Sequence, residues 1–225
     1  MKLHILKTLA LAAALACSAA HADTLKVSNY TGGGAADAFS GAFLNLGSFD
    51  TVTTQPWQVS NLTTNGSFVA FCLERLVPVS AAAFGAGETY TASAYTSAAV
   101  VNLFNGFYGS ALTSANSAAA FQLALWELLE DSANTKDLFA GNFNLTGYDF
   151  NLSTADFGTA TTLATSMLAG TGAASDSYQL TMWDARGSQD LISAVAAPIP
   201  EPSTYALMAG GLGIMGYLAR RRRQA

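Results

Sequence analysis

Three prolines within five positions, Pro198-Ile199-Pro200-Glu201-Pro202, set the limit of whatever this chain folds into. Proline locks φ, lacks an amide donor and disfavours helix in the residue before it, so the stretch is stiff, extended and exposed, and the folded body ends before it. After Ser203 and Thr204 an uncharged apolar run, Tyr205 to Ala219, is about long enough to cross a thin or locally thinned bilayer. Arg220, Arg221, Arg222 and Arg223 then form a basic stop that favours the cytoplasmic side. The C-terminus is expected inside and the body outside.

The start of the chain agrees with export. Lys2 and Lys7 precede an apolar stretch from Thr8 to Ala16, and Ala20-His21-Ala22 fits a small-x-small cleavage site before Asp23, so residues 1–22 read as a secretory signal peptide. Acylation of Cys17 after Ala14-Leu15-Ala16 is the competing reading, and it departs from the usual pattern in having Ala14 where leucine is common. The expected organisation is a signal peptide at 1–22, an exported body at 23–197 and a tail at 198–225, divided into hinge 198–204, transmembrane helix 205–219 and basic end 220–225.

Pro200-Glu201-Pro202-Ser203-Thr204, a short glycine-containing apolar span and a terminal arginine cluster resemble, in that order, the PEP-CTERM sorting signal of Gram-negative bacteria, also labelled an ice-binding protein C-terminal domain. The resemblance implies that exosortase, a membrane protease, processes the Pro200-Glu201-Pro202 motif. It further implies that the inner membrane is a transient partner and that the body passes to the cell surface or extracellular matrix. A plain single-span tail anchor is the alternative, and three closely spaced prolines argue against it.

Removal of the leader takes both histidines, His4 and His21, and one of two cysteines, Cys17. A mature body with Cys72 and no histidine has no Ser-His-Asp or Cys-His pair and no zinc site built on histidine or several cysteines. Two-carboxylate chemistry among Glu74, Glu88, Glu127 and Glu130 survives in principle, but no spacing among them marks an acid/base pair, so the chain is read as a non-enzyme without cofactor or metal. Within 23–197, Lys26, Arg75, Lys136 and Arg186 stand against fourteen carboxylates, a net charge of −10 that excludes nucleic acid as a partner.

Glycine, serine, threonine and asparagine punctuate short apolar runs through the body, the composition of a β-rich surface protein. Thr31-Gly32-Gly33-Gly34 reads as a flexible turn; Pro56 to Val59, Ser67 to Glu74 and Ser177 to Trp183 read as strands, the second interior because it is a continuous apolar run. Helices are expected over Ser97–Phe107, ending near Gly106, from Ser117 as N-cap through Asp131, and over Thr159–Leu168. The fold class expected is α+β, a mostly antiparallel β core with a helical subdomain inserted between the strand of Cys72 and a final strand near Tyr178. A plain β-sandwich is the alternative.

Two residues are anomalous within this pattern. Cys72 is an unpaired cysteine in an exported protein, where thiols are usually paired or modified, unless it is simply a small buried hydrophobe. Gln122 lies on the apolar side of the second helix with Leu125, Trp126 and Leu129, where a buried amide needs a hydrogen-bond partner. A backbone group or exposure at the stripe's margin would satisfy it.

Phe71-Cys72-Leu73-Glu74 and Phe121-Gln122-Leu123-Ala124-Leu125-Trp126-Glu127-Leu128 together resemble the two signature blocks of bacterial thioester domains, known mostly from Gram-positive surface adhesins. The resemblance implies that the Cys72 thiol condenses with the Gln122 carboxamide, with Phe71, Phe121, Leu125 and Trp126 as dry packing and Glu74 and Glu127 as candidates for polar assistance. The function expected is covalent attachment of a sorted surface protein to an amine-bearing partner. The alternatives are a non-covalent structural or exopolysaccharide-associated matrix protein, with Cys72 and Gln122 as core residues, and a secreted glycosidase using two carboxylates.

Overall fold

The computed structural model describes residues 21–30, 40–45, 49–131, 136–145, 157–170 and 178–197, with Gly211 and Arg220. The leader through Ala20, the Thr31–Gly34 turn, the Pro200-Glu201-Pro202 motif, the 205–219 span apart from Gly211, and Arg221, Arg222 and Arg223 lie outside the described residues. Among the described residues no helix is long and apolar enough to cross a membrane. The chain divides into a body, Met1–Val195, and a C-terminal unit beginning at Ala196.

Six strands of the body close into a barrel: β1 (His21–Asn29), β4 (Trp57–Asn61), β5 (Gly66–Cys72), β8 (Leu191–Ala196), β7 (Tyr178–Asp184) and β6 (Glu88–Tyr95), in that spatial order. β1 pairs antiparallel with β4 and β6, β5 with β4 and β8, and β6 with β7. β2 (Ser40–Asn45) and β3 (Phe49–Thr53) make a separate two-stranded antiparallel sheet. Closure removes free strand edges from the barrel, which an exported apolar sheet would otherwise present to other chains.

Local chemistry explains the turns. Asn61 Oδ1 accepts from the amides of Thr63 and Thr64, each at 3.0 Å, and Asn65 takes a positive φ of 58°, turning β4 into β5. Asn61 Nδ2 also donates to Asp23 Oδ2 at 2.7 Å, so the hairpin is tied to β1. Gly87, at φ 108°, leads into β6 where an added Cβ would lie 2.7 Å from Thr24 Cγ2, a position closed to other residues.

The helices flank the barrel, one of them against β7 and another against β1. α2 (Ala98–Ala111) and α3 (Ala115–Glu130) pack together, and α4 (Phe157–Gly170) packs on α3; a short α1 (Ala81–Phe84) lies against β1. Ala118, Ala119 and Ala160 are fully buried, so α3 and α4 approach through small side chains. Between barrel and helices Phe71, Phe104, Tyr108 and Phe121 form one aromatic cluster, with Phe71 and Phe121 centroids 4.6 Å apart.

The α+β class therefore holds as a β-barrel core with helices, with several corrections. The insertion between Cys72 and Tyr178 is not wholly helical, because β6 lies inside it, and β8 follows the strand expected to be last. β5 stops at Cys72 rather than Glu74, and α2 runs through Gly106 to Ala111 because burial of Tyr108 and Ala111 outweighs the weak helix propensity of glycine. α3 begins three residues early: the cap is Ser114, whose Oγ accepts from the Ser117 amide, and Ser117 is inside the first turn.

Candidate functional site

Cys72 and Gln122 meet because β5 outlasts its neighbour. Ala70 is paired with Trp57, the first residue of β4, and Pro56 before it has no amide to donate, so the ladder on that side stops two residues short of Cys72. On the other side Cys72 is paired with Leu191, and the next amide, Leu73 N–H, donates to Asp190 O at 2.9 Å. The N–H and C=O of one strand residue point the same way, so those of Cys72 face the vacated β4 side.

The Gln122 carboxamide takes the missing strand's place. Cys72 N–H donates to Gln122 Oε1 at 2.9 Å, and Gln122 Nε2 donates to Cys72 O at 2.9 Å. A primary amide carries a donor and an acceptor side by side, as a peptide edge does, so it completes the ladder with both groups fully desolvated. Gln122 is 0% exposed and sits within a helix buried from Ala118 to Glu127, rather than at the margin of an apolar stripe.

The sulfur is held from the other direction. Trp57 and Cys72 share the inner face of the barrel, and Trp57 Nε1–H donates to Cys72 Sγ at 3.0 Å. Burial pushes the thiol up to about 12, the indole bond opposing it, so at neutral pH the group is an uncharged thiol. Trp57 was read from the sequence only as a strand residue; nothing local marks it, because the contact spans a strand pair.

The expected packing residues divide by direction. Phe71 and Phe121 wall the helix side of β5, Leu125 is fully buried, and Trp126, also fully buried, has its ring contact with Phe143 at 6.5 Å. Among the described residues the Trp126 indole nitrogen has no hydrogen-bond partner. The two glutamates serve elsewhere than at the sulfur. Glu74 Oε2 accepts from the Asp190 amide at 3.1 Å and its carbonyl from Gln189 Nε2, bracing the β7–β8 turn. Glu127 Oε1 accepts from the Asp137 amide at 2.9 Å.

Sequence reasoning also missed Arg75, three residues past Cys72. Its guanidinium makes a two-point ion pair with Glu130, with Nε to Oε1 at 2.7 Å, and lies over the Phe143 ring at 5.6 Å. The pair ties the segment after β5 to the last turn of α3. Of the two lysines in residues 23–197, Lys26 is on the exposed face of β1 and Lys136 Nζ donates to Leu168 O at 3.0 Å. A cleft of about 680 Å³ opens elsewhere, along β6 and β7 by Tyr95 and Tyr178, and neither Cys72 nor Gln122 lines it.

Residues 198–223 match the PEP-CTERM protein-sorting motif. No curated protein matches the chain. Among solved structures it is similar to the N-terminal thioester domain of a surface protein from Clostridium perfringens, at 12% identity and a TM-score of 0.48, over 79% of this chain and 100% of that one. It is also similar to the N-terminal domain of the Streptococcus pyogenes pilus tip adhesin Cpa, at 14% identity and a TM-score of 0.47, over 78% and 94% of the two chains. Expected positions Ala20, Pro200, Glu201 and Pro202 are placed by sequence alone; Ala22 is in β1, paired with Thr91, and Arg220 is exposed.

Proposed function

From a chain whose tail is a PEP-CTERM protein-sorting motif, and which the motif directs to exosortase processing and the cell surface, we propose a surface protein whose body forms an internal Cys72–Gln122 thioester and attaches covalently to an amine-bearing partner. The observation that carries this reading is the pair of hydrogen bonds that seats the Gln122 carboxamide on the peptide edge of Cys72, two elements and fifty positions apart in sequence.

Cys72 Sγ forms a bond to Gln122 Cδ, the Cδ–Nε2 bond breaks, and the thiol proton leaves with the amide nitrogen as ammonia. Cys72 N–H already bonds Oε1, the oxygen on which negative charge grows as Cδ becomes tetrahedral, which is the role of an oxyanion donor. Burial of Phe71, Phe121 and Leu125 excludes water, the competing nucleophile, until an amine enters. The engagement of Lys136 at Leu168 and the outward position of Lys26 limit self-reaction.

A second reading, a non-covalent matrix component associated with exopolysaccharide, is favoured by the same two hydrogen bonds taken as purely structural, since they leave no amide group of Gln122 unsatisfied. Intact mass of the folded, signal-cleaved protein separates the two. A mass one ammonia short, converted to a methylamine adduct by methylamine and restored to full mass in Cys72→Ala, supports the thioester; a full mass with a thiol that titrates on unfolding supports the second reading.

A further inference from the structure

We propose that Trp57 is the hydrogen-bond donor that holds the Cys72 sulfur and stabilises the thiolate expelled when an amine opens the thioester. The inference rests on the thioester reading above and names a residue that neither sequence block contains.

Register creates the contact. Trp57 faces the barrel interior opposite Ala70, and Cys72, two positions further along β5, is on the same face. The indole then reaches along the strand direction to Sγ at 3.0 Å, with Trp57 6% and Cys72 1% exposed. An indole N–H only donates, and the barrel's other tryptophan, Trp183, gives its proton to an oxygen, Ser193 Oγ at 2.8 Å. Trp57 gives its proton to sulfur instead.

A neutral thiol or thioester sulfur is a weak acceptor, whereas a thiolate is a strong one, so the bond strengthens as the C–S bond breaks. In the opening step the amine nitrogen bonds to Gln122 Cδ and the Cδ–Sγ bond breaks with its electron pair on sulfur. The proton shed by the amine nitrogen ends on sulfur, leaving an amide and the Cys72 thiol. Burial opposes charge on this sulfur, and among the described residues the hydrogen bond that points at it is the indole's. Arg75, the cation nearest in sequence, is engaged with Glu130.

The test uses the signal-cleaved protein with Trp57→Phe, which keeps a ring and removes the donor, and Trp57→His, which restores an N–H. Methylamine opening is followed by intact mass, and the Trp57 indole resonance is followed in the unsubstituted protein by ¹H–¹⁵N correlation before and after opening. Trp57→Phe is expected to open about tenfold more slowly, with partial recovery in Trp57→His, and the indole resonance is expected to shift on opening. Opening within twofold in folded Trp57→Phe overturns the proposal, as does an indole resonance that stays in place; the resonance alone decides if that variant does not fold. A full mass in the unsubstituted protein overturns the thioester reading and this one together, whereas a missing ammonia with negative Trp57 results overturns this one alone.

Discussion

Glu127 is 1% exposed and accepts from the Asp137 amide with one carboxylate oxygen, while the other, Oε2, has no hydrogen bond among the described residues. Burial pushes its carboxyl from 4.5 up to about 7, the Asp137 amide opposing and Asp131, Asp137 and Glu130 adding to the rise. The folded state therefore holds this proton more tightly than the unfolded chain does. Stability is full below about 4.5, falls as pH climbs and levels off above about 7, because ionising the buried carboxyl is what costs. Glu127→Gln is expected to flatten the urea-unfolding free energy between those limits, where the unsubstituted protein loses at most about 1.4 kcal/mol per pH unit to this group. At this scale the sequence singled out Cys72 and Gln122 as anomalies, since an unpaired thiol and an amide in an apolar stripe are visible without a fold. It could not assign Glu127, whose partner is a loop amide ten residues on, nor Trp57, whose partner is across a strand pair.

α3 is the element on which the site depends, because a shift along its axis would carry the Gln122 carboxamide off the Cys72 peptide edge. Two features set its register. Ser114 caps the first turn through the Ser117 amide at 3.2 Å, and Glu130 in the last turn is clamped by Arg75. Ser114→Ala is expected to lower body stability by about 1 kcal/mol in urea unfolding, more than Ser117→Ala, which removes no cap. The helices α2, α3 and α4 were legible from periodicity and small-residue runs, but their ends were not: Ser114 and Ser117 are equally good caps on paper. Packing of Ala115 and Ala118 beside Ala160 adds the extra turn. β6 was missed because Glu88-Thr89-Tyr90-Thr91 alternates only weakly. Its two buried partners, Tyr90 and Ala92, become a pattern only once β1 lies beside them in register.

For the whole molecule, the body and its address are separable in sequence and are tested separately. Replacing Pro200, Glu201 and Pro202 with alanines is expected to leave folding of the body unchanged while abolishing the shortened, surface-delivered form, measured by fractionation and intact mass of the exported product. Delivery of a shortened form by this variant would reject exosortase sorting. Export signals of this kind are readable from sequence because recognition acts on local composition: stiffness from proline, an apolar run and a basic end need no tertiary partner. The same holds for the exclusion of histidine-based chemistry, which is a matter of inventory. What only the tertiary structure decided is the closure of six strands into a barrel, the early end of β4 beside Cys72, and the use of a helix side chain to finish that ladder. These depend on which distant segments share hydrogen-bonding edges, and strand pairing is a property of register between segments that no single segment encodes.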